Sequence, residues 1–144
     1  ENHLVEIIRK LKRPYVRYTR ADEKNVRKAD CLIIDCFGLL SSIYRYGEIA
    51  YIGGGFGVGI HNTLEAAVYG IPVIFGPKYQ KFQEAIHLLE AKGGFSIKSY
   101  EELKILLDRM RGDEDFLREA GKNAGAYVTD NAGTTDKVLG MINF

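Results

Sequence analysis

The sequence predicts an α/β domain built on a parallel sheet, and three observations carry that expectation. Short apolar runs rich in β-branched residues, such as Leu32-Ile33-Ile34 and Val73-Ile74-Phe75, recur between stretches of helical spacing. The connections between them are short, as in successive βαβ units. Five glycines (Gly53, Gly54, Gly55, Gly57 and Gly59) follow one apolar run and precede a helical stretch. Neither a strand nor a helix tolerates so many, so they mark a loop between the two.

Taken in order, Leu4, Ile7, Ile8 and Leu11 lie at helical spacing and predict an amphipathic helix over residues 1–12, ended by Pro14. Residues 15–19 read as a strand, and the polar stretch 20–30 as a long loop or short exposed helix. Cys31 to Asp35 is an apolar strand ending in an acid, followed by the turn Cys36-Phe37-Gly38. Leu39 to Tyr46 reads as a helix closed by Gly47. The strand 49–52 leads into the glycine loop, then a helix over 62–69 stopped by Gly70. Pro72 to Phe75 is the next strand, with Gly76-Pro77-Lys78 as its exit turn. A helix over 81–92 ends at Gly93-Gly94, and Phe95-Ser96-Ile97 is a short strand. Ser99 caps a helix reaching Met110, Asp113 caps another, and residues 134–142 are expected to form a last one.

With 144 residues the chain is long enough for a continuous core and is expected to form one domain, 1–144. The net charge of +1 argues neither for nor against a polyanionic partner. The charge is uneven, however. Arg9, Lys10, Lys12, Arg13, Arg17, Arg20, Lys24, Arg27 and Lys28 are opposed within their segment only by Asp22 and Glu23. That is either a solvated face or a surface for anionic lipid or a phosphorylated substrate. Cys31 and Cys36 match neither a C-x-x-C site nor a disulfide framework, which suggests a reducing compartment. No apolar run reaches membrane-spanning length and no signal peptide is visible. The chain lacks an initiator Met and begins inside a predicted helix, as an excised piece of a longer protein would.

Strand, glycine loop and helix start together present backbone N–H groups to an anion, and phosphate is the expected ligand. Walker A is excluded because no Gly-Lys pair has the required spacing. The dinucleotide fingerprint fails because Val58 or Ile60 stands where its third glycine belongs. In a parallel sheet the loops at the strand C-terminal ends share one edge, so turns 35–38, 53–61 and 76–81 are expected to converge on a crevice. Asn62 and Glu65 have capping-box spacing, but the carboxylate could equally take hydrogen bonds from a ribose. His61 is a phosphate donor or a turn residue; His3 and His87 read as surface. No metal-ligand spacing is present. Asp113-Glu114-Asp115 resembles a D-x-D metal motif but sits where acids favour a helix start. No hydrolase triad pattern accompanies the serines.

Four blocks now stand together: Ile33-Ile34-Asp35-Cys36-Phe37-Gly38, Tyr51-Ile52-Gly53-Gly54-Gly55-Phe56, His61-Asn62-Thr63-Leu64-Glu65-Ala66-Ala67 and Pro72-Val73-Ile74-Phe75-Gly76-Pro77. In order and approximate spacing they resemble the C-terminal nucleotide-binding domain of the 3-deoxy-D-manno-octulosonic acid (Kdo) transferases, over about half the chain. The H-N-x-L-E block with its downstream G-P turn is the specific part. The resemblance implies a Rossmann-like three-layer domain, one half of the two-domain GT-B glycosyltransferase architecture. Three positions depart from the family pattern: Leu39 replaces a usual acid, Ile60 a common glycine and Lys81 a frequent Asn.

By that resemblance the donor is CMP-Kdo, the acceptor is a lipid A precursor, and transfer is inverting and metal-independent, with no cofactor. Gly53, Gly54, Gly55, His61, Asn62, Thr63 and Leu64 would surround the donor phosphate, Glu65 would hold the ribose, and Phe37 and Gly38 would border the cytosine. The family's general base belongs to an N-terminal acceptor domain, so no catalytic residue is assigned here, and the isolated piece is expected to be soluble but inactive. The full enzyme is expected at the cytoplasmic face of the bacterial inner membrane, with peripheral contact to anionic lipid and no nucleic-acid partner. Two alternatives stay open: the donor half of another GT-B enzyme or UDP-sugar epimerase, and a non-catalytic nucleotide-binding module.

Overall fold

The computed structural model describes residues 2–141, with side-chain burial for residues 4–132. These divide into two compact units, one ending at Ser42 and the other beginning at Ile43.

In the first unit, helix α1 (Asn2–Lys10) is ended as expected ahead of Pro14. Of its predicted apolar face, Leu4 and Ile8 are half-buried with Leu11, whereas Ile7 remains 53% exposed. Strand β1 (Tyr15–Arg17) runs into a 3-10 turn, Tyr18–Arg20. The polar stretch forms one exposed helical turn, α2 (Glu23–Val26). Asp22 caps it by accepting from the backbone of Lys24 and Asn25, while the Asn25 side chain accepts from Asp22 N. Strand β2 (Cys31–Ile33) then pairs parallel with β1, Tyr15 opposite Cys31 and Arg17 opposite Ile33. The Asp35 carboxylate locks the exit of this pair. It accepts from the Arg17 guanidinium (2.6 Å), the Thr19 hydroxyl (2.7 Å) and the Thr19 amide (3.0 Å), and its side chain is only 3% exposed. Helix α3 (Leu40–Ile43) crosses the boundary between the units.

The second unit continues through a 3-10 turn, Tyr44–Tyr46, closed by Gly47, into β3 (Ala50–Tyr51). Helix α4 (Leu64–Ala67), β4 (Val73–Phe75), α5 (Gln83–Glu90) and β5 (Gly94–Ser96) follow. The strands form a parallel sheet in the order β3-β4-β5. Central β4 is buried on both faces, which is why it reads as an unbroken apolar run rather than an alternation. Alternate side chains leave it in opposite directions. Val73 and Phe75 enter a core with Ala66 and Ala67 of α4, and Ala85 and Leu88 of α5. Ile74 enters a second core with Ile97 and with Met110 of α6 (Tyr100–Gly112). Helix α7 (Glu114–Met141) serves both, through Ala124 in the first and Phe116 and Leu117 against the second. Helices on both faces of the sheet make the three layers expected.

Several readings change. The helix expected over 62–69 is the single turn Leu64–Ala67, and that over 39–46 divides into α3 and a 3-10 turn. The sequence suggests separate helices after Asp113 and near Thr134, but α7 is continuous to Met141; Ile142 lies outside the described residues. The expected single sheet is hydrogen-bonded as two, β1-β2 and β3-β4-β5. Among the described residues no helix is long and apolar enough to cross a membrane.

Candidate functional site

The glycine loop leaves β3 and doubles back on itself. Gly54 and Ile60 form an antiparallel bridge, His61 N donates to Gly53 O (3.2 Å), and Gly55 N donates to Val58 O (2.9 Å). The result is a tight hairpin with Phe56 and Val58 exposed at its tip, 47% and 78% respectively. Gly54 and Gly55 have φ of +88° and +80°, a region that side chains strongly disfavour. A Cβ on Gly55 would also stand 2.8 Å from Gly76 Cα, and one on Gly54 would stand 2.4 Å from Gly59 O. One on Gly59 would meet the Phe82 ring at 2.5 Å, while one on Gly57 would meet open space. Three of the five glycines are therefore required by close packing, of the hairpin on itself at Gly54 and against Gly76 and Phe82 at Gly55 and Gly59. The glycine count, offered by sequence as a phosphate signature, is in large part a close-packing signature.

That packing brings together two of the three turns expected to converge. The loop lies directly on the exit turn of β4, where Gly76 and Gly55 are in backbone contact. Lys78 fastens it: its backbone N donates to Gly55 O (2.9 Å) and its Nζ to Gly57 O (3.0 Å). Sequence reading singled out Lys78 only as a turn residue, and nothing in its local pattern pointed to the glycine loop. The pairing of β3 with β4 is what sets the two exits side by side. The third turn, with Phe37 fully exposed and Gly38 at φ +86°, belongs to the first unit.

Beyond the hairpin, Asn62 stands just ahead of α4, where its Oδ1 accepts from Leu64 N (3.0 Å). Its Nδ2 donates to Glu65 Oε1 (3.0 Å). These bonds take the place of the capping box: the Asn62 oxygen receives Leu64 N rather than Glu65 N, and Glu65 meets the Asn62 side chain instead of its backbone. Glu65 is half-buried beside Tyr44, whose phenol is pushed above its ordinary value by burial and then by the Glu65 charge. His61 and Asn62 are exposed and Leu64 is half-buried. Thr63 is completely buried, and its Oγ1 has no hydrogen-bond partner among the described residues. Such an orphan hydroxyl costs about 1–3 kcal/mol. A side chain sealed from solvent can offer a ligand little, so Thr63 is left its backbone N–H. Helix α4 is a single turn, and its dipole is correspondingly small.

The other candidates fall to structural roles. Asp113 Oδ1 accepts from Phe116 N (2.9 Å) as the cap of α7, and Asp115 pairs with Arg118. His87 Nδ1 lies 3.3 Å from the Tyr127 hydroxyl, far along the chain from the loop. Asp35 is held well below the usual carboxylate range, chiefly by the Thr19 hydroxyl and amide and then by Arg17, against the opposing effect of burial. A carboxylate so engaged is a poor proton acceptor. Cys31 and Cys36 are free and half-buried.

No family model matches the chain. Among curated proteins it is similar to the 3-deoxy-D-manno-octulosonic acid transferase of Aquifex aeolicus (strain VF5), with 42% identity over 78 residues, 53% of this chain and 22% of that protein. The Rickettsia bellii (strain RML369-C) enzyme of the same name is 36% identical over 116 residues, 78% of this chain and 28% of that protein. That of Chlamydia trachomatis serovar D is 33% identical over 105 residues, 71% and 22% respectively. The chain thus spans roughly a quarter of the length of the curated relatives it matches. Among solved structures it is similar to the C-terminal CMP-Kdo binding domain of WaaA from Acinetobacter baumannii, with a TM-score of 0.65 at 20% identity, covering 85% of this chain and 66% of that one. The fold is that of this α/β domain, and over most of its length the sequence is similar to the 3-deoxy-D-manno-octulosonic acid (Kdo) transferases.

Proposed function

We propose that the chain is the donor-binding part of an inverting Kdo transferase, and that its donor is CMP-Kdo. The observation that carries this reading is the single cluster made by the glycine hairpin, the β4 exit turn and the Asn62–Glu65 pair, in a chain similar to the three Kdo transferases named above. Backbone N–H groups at the start of α4 and the Asn62 amide would take the donor phosphate. Glu65, with Oε1 on Asn62, would accept from the ribose hydroxyls through Oε2. Gly53, Gly54 and Gly55 shape the floor, and His61 flanks it.

Charge developing on the departing CMP would be met by these fixed N–H groups without a metal ion or other cofactor. Because α4 is one turn long, hydrogen bonds carry this role rather than a helix dipole. The acceptor is a lipid A precursor at the cytoplasmic face of the inner membrane. Transfer requires a base near the acceptor hydroxyl, and that base belongs to a separate acceptor domain.

Calorimetry with CMP, UMP and free phosphate tests the donor assignment; CMP is expected to bind most tightly. Glu65→Ala should weaken CMP binding by roughly 1.5–3 kcal/mol, the range for a charge-assisted hydrogen bond. A variant that melts earlier but binds CMP unchanged would reduce the Asn62–Glu65 pair to a cap. This chain mixed with CMP-Kdo and a lipid A precursor should give no product, with or without magnesium. Robust turnover would return the base to this chain.

A further inference from the structure

The β4 exit turn holds an ammonium group in a defined place on the glycine hairpin. Lys78 N donates to Gly55 O (2.9 Å), which ties the root of its side chain to the hairpin. At the other end of that side chain, Nζ donates to Gly57 O (3.0 Å), and the residue is exposed. An ammonium has three N–H donors. One is used on Gly57, and no ion pair engages Lys78 among the described residues. Lys81, the next cation of the same turn, is also exposed but makes no bond to the hairpin among those residues. The acid of the cluster is Glu65, held by Asn62.

On the donor reading above, on which this assignment rests, CMP-Kdo brings a phosphodiester and, on the sugar carbon bonded to the phosphate oxygen, a carboxylate. The start of α4 and the Asn62 amide answer the phosphate. The carboxylate would enter a cluster that already holds the Glu65 charge, and like charges brought together without a counter-charge cost affinity. Order along the site places its counterpart. Glu65 lies one turn into α4, Asn62 just ahead of that helix, and the hairpin directly before Asn62. A donor laid over them runs ribose, phosphate, sugar in that same order, so its sugar end falls at the hairpin. We propose that Lys78 binds the sugar carboxylate through an N–H left free by Gly57 O, and that it thereby selects a sugar acid over a neutral sugar. A free surface lysine would lose rotamer freedom on binding, whereas the Gly57 bond has already restricted this one.

The test is calorimetry on this chain with CMP-Kdo and with the methyl ester of CMP, which has the same phosphodiester charge and no carboxylate. The unmodified chain should prefer CMP-Kdo. Lys78→Met should weaken CMP-Kdo roughly ten-fold, the low end for a hydrogen bond to a charged group, and leave the methyl ester nearly unchanged. Lys78→Arg keeps the cation and should recover most of the loss. If Lys78 only fastens the hairpin, Lys78→Met weakens both ligands equally. That result, or undiminished CMP-Kdo binding by Lys78→Met, would overturn the proposal. Circular dichroism verifies that each variant is folded. Should either fail, the unmodified chain with lysine isotopically labelled at Cε decides by nuclear magnetic resonance. The Lys78 Cε signal, identified by its proximity to Gly57, should move with CMP-Kdo and not with the methyl ester; a signal indifferent to CMP-Kdo would overturn the proposal. The two readings fail in different ways. An unmodified chain that binds both ligands equally keeps the donor site and removes Lys78 from it, whereas one that binds neither removes the donor site and this assignment together.

Discussion

The two units use the same strand-helix grammar but are held by different forces. In residues 43–144 the central strand is sealed on both faces, and Val73, Ile74, Phe75 and Leu88 are completely buried. In residues 1–42, Val16 is the buried apolar side chain among the described residues, at 7% exposure. What fixes that pair of strands is polar: one carboxylate receives three hydrogen bonds from two residues of the neighbouring strand and turn. Apolar burial involves no titrating group and no charge for salt to screen, whereas a carboxylate clamp depends on remaining ionised. The difference teaches that the site-bearing hairpin sits on the apolar unit, where its geometry is held against changes of solution conditions.

The largest expected effect breaks the apolar unit. Phe75→Ala should destabilise by about 3–5 kcal/mol in denaturant unfolding, the range for a buried aromatic truncation. Val16→Ala should cost about 1–2 kcal/mol, two methylene equivalents, and leave the unfolding of the second unit unaltered. Equal losses would mean that the first unit possesses a core as consequential as the second.

The next effect sharpens the comparison inside the second unit. Gly55→Ala combines a disfavoured φ with a 2.8 Å contact on Gly76, and should cost about 1–3 kcal/mol of stability as well as CMP affinity. Gly57→Ala, directed into open space, should be neutral within about 0.5 kcal/mol. Thermal melts of both variants decide whether the glycines are there for packing; a costly Gly57→Ala would show that the tip has a constraint beyond it.

The smallest effect belongs to the polar unit. Asp35 has its folded pKa lowered, so its contribution is present above the unfolded value near about 4 and is lost as pH falls toward the folded one. The protection factor of the Thr19 amide, its exchange rate relative to an unstructured amide at the same pH, should therefore fall on acidification below about pH 4 while amides of β4 stay protected. Asp35→Asn should make the Thr19 amide labile at neutral pH and flatten that dependence. Unchanged Thr19 protection in the variant would remove the clamp from the account.

Much of this protein was legible from residue pattern because the causes are local. Pro14 and the Asp22 and Ser99 caps act within a turn of the chain, and each falls at or beside an element boundary, while Gly70 at φ +69° belongs to the turn that follows α4. The doubly buried β4 announced itself by an uninterrupted Val73-Ile74-Phe75. The H-N-x-L-E block was readable for the same reason, since Asn62 and Glu65 meet across three residues. Tertiary structure decided the rest. Whether Asp35 is a reactive acid or a clamp depends on Thr19 and Arg17, brought to it by strand pairing and not by sequence proximity. The glycines read as a phosphate cradle until Gly76 and Phe82, distant in the chain, were found packed against them. Lys78 gained its contact with the loop in the same way. A local pattern fixes backbone conformation; what a side chain faces is set by elements that arrive from elsewhere in the chain.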